Sequence, residues 1–217
     1  MNQKNVLILV DDYWHPRASI EPLVPLLFSK DGWNTFLTTD PKQLVVCDKV
    51  PDLFVSFKDP IENDQIPTPI WCDENWSSVL KKDIEAGMGF LAIHCGLTDL
   101  PKHHMISEEI LRACFITHPP QCPVTFVPQS AHPVTEGISE FTFPDNDEHY
   151  VIELLPGAQT QVLGYTTSVN GRQPALWAHE LGAGRVCAIT PGHNTVNLVF
   201  PEYLRLLQNA VKWCTKQ

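Results

Sequence analysis

The chain has 217 residues, 43% of them hydrophobic and 18% charged, with a formal net charge of −10. A chain of this length buries a core without staples. With no run of Lys or Arg longer than Lys81-Lys82, it lacks the basic face that nucleic-acid binding requires. Seven scattered cysteines without a Cys-x-x-Cys pair exclude a zinc ribbon and a disulfide scaffold, and predict reduced thiols in a cytoplasmic protein. No stretch approaches the roughly eighteen apolar residues of a membrane span, and the short run 6–10 ends in Asp11-Asp12, unlike a signal peptide.

In chain order, the continuous apolar run 6–10 predicts a parallel strand buried on both faces. Ser19 is placed to cap a helix that carries Leu23, Leu26 and Leu27, is kinked by Pro25 and is closed by Gly32. Residues 33–38 and 52–57 read as the next two strands, and the Pro-, Asp- and Asn-rich stretch 58–73 as a surface loop. Trp76, Val79, Leu80 and Ile84 recur at helical spacing over 74–86, and Gly87 stops that helix. Residues 89–93 form a buried strand that delivers His94-Cys95-Gly96. A short strand is expected at 124–127 within an irregular stretch 119–150, then strands at 151–153, 161–166, 175–179 and 185–190. Asn170-Gly171 marks a hairpin, and 201–214 reads as an amphipathic closing helix. Strands alternating with helices give an α/β fold with a doubly wound, mostly parallel sheet. Without a linker or composition break, residues 1–217 read as one domain.

In open α/β sheets ligands bind beyond the carboxyl ends of the strands. Asp11, Asp12 and His15 follow the first strand, His94 and Cys95 the strand 89–93, and His193 the strand 185–190. These groups therefore gather at one sheet edge. Cys95 stands where a nucleophile elbow would, but Ile93 and Leu97 occupy the positions an elbow gives to glycine. The opposing reading makes Cys95 a small core residue. His15, His94, His149 and His193 with Asp11, Asp12, Asp147 and Glu148 offer a mixed set of the kind zinc or another divalent metal accepts, with His15, His94 and His193 as its ligands. No His-Glu-x-x-His or His-x-His spacing is present, and any one of these histidines alone is more often a hydrogen-bonded structural residue than a ligand. His103, His104 and His118 are read as solvated, and His132 as a backbone cap. The Gly87-x-Gly89 match to a dinucleotide fingerprint precedes its strand, so no helix N-terminus would meet a pyrophosphate.

Several blocks keep the order of one known family. They are the opening strand with His15, Gly89-Phe-Leu-Ala-Ile-His94-Cys95-Gly96, His132-Pro133-Val-Thr-Glu-Gly137, Asp147-Glu148-His149-Tyr150, Pro174-Ala-Leu-Trp177, and Pro191-Gly192-His193. In this the chain resembles the trehalose-utilisation (ThuA-like) family of the class I glutamine amidotransferase-like superfamily. The resemblance implies a flavodoxin-like sheet and a link to the catabolism of disaccharides or sugar derivatives. It does not imply amidotransferase activity. A class I amidotransferase would show a glycine-flanked Cys and a His-x-Glu pair, where this chain has His193-Asn194-Thr195.

Three functions compete. The leading one is a sugar-processing hydrolase or isomerase with His94, His193 and Glu148 as ligands or acid/base groups, and Asp12, Trp14 and Tyr150 against a small-molecule saccharide. The second is a Cys-dependent amidase or hydrolase using Cys95 and His193. The third is a non-catalytic sugar-binding subunit. Assembly into a homo-oligomer is compatible with each.

Overall fold

The computed structural model describes residues 3–29, 31–61 and 70–217. Half of the loop expected over 58–73, residues 62–69, therefore falls outside the described residues. The central strands of the sheet's parallel half show why they read as nearly unbroken apolar sequence. In β1 (Lys4–Val10), Val6, Ile8 and Val10 face one hydrophobic cluster, while Leu7 and Leu9 face a second on the opposite side. β3 (Leu53–Phe57) and β4 (Gly89–Ile93) divide their residues between the same two clusters. A sheet covered on both faces needs apolar residues at every position.

Among the described residues nine strands form one sheet, in the order β2-β1-β3-β4-β11-β10-β9-β6-β7. β2 (Trp33–Thr38), β1, β3, β4 and β11 (Gly184–Ile189) are parallel, the order of a flavodoxin-like sheet. β10 (Gly171–Leu181), β9 (Gln161–Ser168), β6 (Thr125–Pro128) and β7 (Phe141–Thr142) extend it antiparallel. β9 and β10 make the expected hairpin, with Gly171 left-handed at φ 101°. β5 (Ala113–Thr117) and β8 (Val151–Leu154) pair apart from the main sheet. Neither β5 nor the π-helix Ile106–Leu111 before it was expected, since both are too short to show a hydrophobic period.

The helix expected after Ser19 is broken into α1 (Arg17–Ile20), a 3-10 turn Glu21–Leu23 and α2 (Val24–Leu27), because Pro22 and Pro25 remove two donors in succession. A short α3 (Gln43–Val46) precedes β3. In α4 (Glu74–Ala86), Asp73 caps the N-terminus by accepting from the Trp76 amide, and Gly87 ends the helix at φ 127°. α5 (Thr195–Leu198) is capped by the Asn194 side chain. α6 (Pro201–Cys214) buries Tyr203, Leu206, Leu207, Ala210 and Val211. Its C-terminus lies so close to β4 that a Cβ on Gly89 would stand 2.6 Å from the Cys214 carbonyl oxygen. No helix among the described residues is long and apolar enough to cross a membrane.

Candidate metal centre and its pocket

The carboxyl ends of β1, β4 and β11 deliver His15, His94 and His193 to one point, and the segment before β8 adds Glu148. His15 Nε2 stands 3.2 Å from His193 Nδ1, and His94 Nε2 stands 3.4 Å from the same nitrogen. Glu148 places Oε1 3.2 Å from His193 Nδ1 and Oε2 3.4 Å from His94 Nε2. One donor atom from each of the four lies within 4.8 Å of all the others. Two ligands held at about 2.1 Å on a tetrahedral cation stand roughly 3.4 Å apart.

Surrounding groups fix which way the rings present their lone pairs. Asp12 Oδ1 takes the proton of His15 Nδ1 at 2.9 Å, and the Thr190 carbonyl takes that of His94 Nδ1 at 2.8 Å. Both Nε2 atoms are thus acceptors turned toward the Glu148 carboxylate and His193, so the cluster holds together around a proton or a cation. Burial pushes the His15 imidazole below its ordinary value. Burial alone would raise Glu148, but the hydrogen bond from His193 and the adjacent His94 imidazole outweigh it and hold the carboxyl well below the usual range. The Glu148 hydrogen bond raises His193 in turn.

A second layer holds the cluster in place. Asp147, completely buried, accepts from the backbone amides of Glu148 (2.8 Å), Gly192 (3.1 Å) and His193 (3.2 Å), and from Asn197 Nδ2 (2.9 Å). One carboxylate therefore ties Glu148 to the His193 turn. Asp12 accepts from the Trp14 and His15 amides and, through Oδ2, from the Asp59 amide. The turn after β4 is compressed: a Cβ on Gly96 would lie 2.1 Å from the Ser56 carbonyl oxygen.

Cys95 and one of the three expected ligand contacts, Asp12, take different positions. The left-handed residue of the turn is His94 (φ 49°), not Cys95. The Cys95 thiol is buried, and burial with the nearby Asp12 and Asp59 carboxylates raises it well above its ordinary value, away from the thiolate. Asp12, expected against substrate, has a fully buried side chain spent on holding His15. Tyr150, expected to stack on a ligand, borders the pocket beside the cluster, where its ring stacks on the His94 ring at 4.5 Å and its hydroxyl stands 3.0 Å from His94 Nε2. Trp14 does line the pocket beside the cluster. That pocket, about 350 Å³, is also bounded by His15, Asp59, Thr98, Asp99, Phe115, His118 and Glu148.

His149 turns away, bonded to the Thr166 carbonyl and the Ser168 hydroxyl. His132 caps the turn at Val134. His104 is not solvated but anchored to the Cys72 carbonyl. His118, although exposed, brings Nε2 to 3.8 Å from Glu148. Sequence reasoning missed Asp59, Thr98 and Asp99. Asp59 lies two residues beyond the end of β3, so the strand-end rule that singled out the histidines reaches it as well.

The ThuA family, described as trehalose utilisation, matches residues 29–214 of the chain. The chain belongs to that family. Solved structures of ThuA-like proteins from Bacteroides uniformis and Parabacteroides merdae share the fold of this ThuA-family protein. The first is 17% identical with a TM-score of 0.76 and covers 98% of this chain and 91% of its own. The second is 14% identical with a TM-score of 0.77, covering 99% and 90%. A cytoplasmic protein from Salmonella typhimurium is 16% identical with a TM-score of 0.61, covering 97% and 98%. No curated protein matches.

Proposed function

We propose that this ThuA-family protein holds a divalent transition metal, zinc or a similar ion, on His15, His94, His193 and Glu148, and processes a neutral saccharide derivative in the adjoining pocket. The observation that carries this reading is the convergence of four donor atoms from separate chain segments, with two imidazole lone pairs aimed inward by Asp12 and the Thr190 carbonyl. Three imidazoles and one carboxylate suit a borderline divalent ion. Such an ion supplies Lewis-acid polarisation of a carbonyl or hydroxyl oxygen.

The chain's own residues account for the rest. Among the described residues, those lining the pocket include no Lys or Arg but do include the carboxyl groups of Asp59, Asp99 and Glu148. A phosphorylated or acidic sugar would meet repulsion there, whereas a neutral polyol finds acceptors and donors. Trp14 and Phe115 supply aromatic wall on which a sugar ring can lie. The family's description as trehalose utilisation supports a sugar ligand. We further place the protein in the cytoplasm, in keeping with its seven free cysteines.

Metal analysis of the purified protein, followed by calorimetric titration of zinc and a panel of neutral mono- and disaccharides, tests the proposal. Stoichiometric metal and saturable sugar binding or turnover, both lost in His94→Ala and His193→Ala, are expected. Unchanged metal content and sugar binding in both variants would refute it.

A further inference from the structure

The same pocket contains an acidic group that the four-donor cluster does not use. Asp59 is 4% exposed and Thr98 3%, yet both line the cavity with His15 and Glu148. The Thr98 hydroxyl lies 2.9 Å from the Cys95 carbonyl oxygen and 2.6 Å from Asp59 Oδ2. A hydroxyl has one proton to give, and a carbonyl can only accept. Both contacts are satisfied when Thr98 donates to Cys95 and Asp59, as a carboxylic acid, donates to Thr98. The other Asp59 oxygen, Oδ1, accepts from the Ile61 amide at 2.9 Å.

The surroundings favour that protonated form. Asp12 and Asp99 face Asp59 with carboxyl groups, Cys72, Cys95 and Tyr150 with uncharged thiols and a phenol, and the adjacent Lys58 spends its ammonium on the Asp11 carbonyl. Burial, reinforced by the neighbouring Asp99 carboxylate, raises Asp59 to about 8. Asp99 is exposed and held left-handed at φ 49°, a conformation that costs energy in a non-glycine residue.

We propose that Asp59 is the proton donor of this pocket, acting through the Thr98 hydroxyl, and that Asp99 reloads it from solvent. One proton leaves Asp59 for Thr98 Oγ1 as the Thr98 hydroxyl proton turns away from the Cys95 carbonyl and passes to an oxygen of the neutral ligand, leaving Asp59 as a carboxylate that accepts from the new Thr98 hydroxyl proton. A carboxylic acid beside an electrophilic centre suits a reaction in which a hydroxyl or alkoxide departs. This role rests on the saccharide reading of the pocket. The protonation itself does not depend on the metal.

Labelling with a water-soluble carbodiimide and an amine nucleophile, mapped by mass spectrometry from pH 5 to 9, tests it, since the reagent consumes only protonated carboxyl groups that it can reach. Asp59 is expected to be modified at pH 7.5 at least about 10-fold faster than any surface carboxylate, fading with a midpoint near pH 8. Asp99→Asn should move that midpoint to lower pH. In the wild-type protein, the 13C carboxyl resonance that disappears in Asp59→Asn should titrate over the same range, so the test does not depend on the Asp99 variant folding. Labelling of Asp59 only alongside the surface carboxylates at low pH, or a 13C titration midpoint for Asp59 in the ordinary carboxylate range near pH 4, would overturn the proposal. A metal-free protein whose Asp59 still labels at pH 7.5 would sink the metal reading alone.

Discussion

His15 Nε2 and His193 Nδ1 stand 3.2 Å apart although 178 residues separate them in the chain. Neither strand end carries much chemistry by itself. The parallel order that sets β1 and β11 on either side of β3 and β4 brings the two rings together, and Asp12 and Asp147 fix what each presents.

Asp12→Asn should weaken metal binding without unfolding the protein. The amide can still accept from the Trp14 and His15 backbone, but it no longer offers His15 Nδ1 a charged acceptor at 2.9 Å. Loss of such an outer partner costs about 10- to 100-fold in affinity. Zinc titration of the variant beside the wild type reads this directly, with an unchanged circular dichroism spectrum as the control for folding.

Asp147→Ala should act on stability and on the site together. It strands three backbone amides and the Asn197 amide group, all now within 3.2 Å of one carboxylate. Each buried donor left without an acceptor costs about 1–3 kcal/mol. Urea unfolding should show a markedly lower midpoint, and zinc affinity should fall because Glu148 and His193 lose their common anchor.

Gly96→Ala forces a Cβ to 2.1 Å from the Ser56 carbonyl oxygen, where backbone rather than a flexible side chain would have to move. Overpacking typically costs about 1–3 kcal/mol, and rigid backbone puts this site at the upper end. The shift would also displace His94, so stability and metal binding should fall together. Gly157→Ala, where nothing lies within 4 Å of the new Cβ but φ is 76°, should cost less and leave metal binding alone.

Burial holds His179 at about 4 in the folded protein, against an ordinary value of about 6.5. Its Nε2–H donates to the Ile110 carbonyl, and its Nδ1 accepts from the Thr160 hydroxyl. The folded state therefore binds the proton more weakly than the unfolded chain. The neutral ring's contribution is complete above pH 6.5 and disappears as pH falls toward 4, a change of about 3 kcal/mol. His179→Asn, which cannot take up that proton, should flatten the stability profile across this window in denaturant titrations at several pH values.

The parallel half of the sheet was legible because burial on both faces writes β1, β3 and β4 as nearly continuous apolar runs. The four-donor cluster was partly legible, since His15, His94 and His193 each follow a strand whose carboxyl end must lie at one edge. The roles within the site were not. Whether Asp12 faces a ligand or a histidine, and whether Tyr150 stacks on sugar or on His94, depends on side-chain directions that spacing does not encode. Asp59 was hidden because its Pro- and Asp-rich surroundings read as loop, although that loop starts at the end of β3. β5 and the π-helix before it were too short for any period to show.

Calorimetric titration of zinc into the metal-stripped full-length protein tests the central claim most directly. One site per chain is expected, weakened at least about 10-fold in each of His15→Ala, His94→Ala, His193→Ala and Glu148→Gln. Cys95→Ser should leave it intact. Absence of a saturable site in the wild type, or an affinity that survives all four substitutions, would contradict the account.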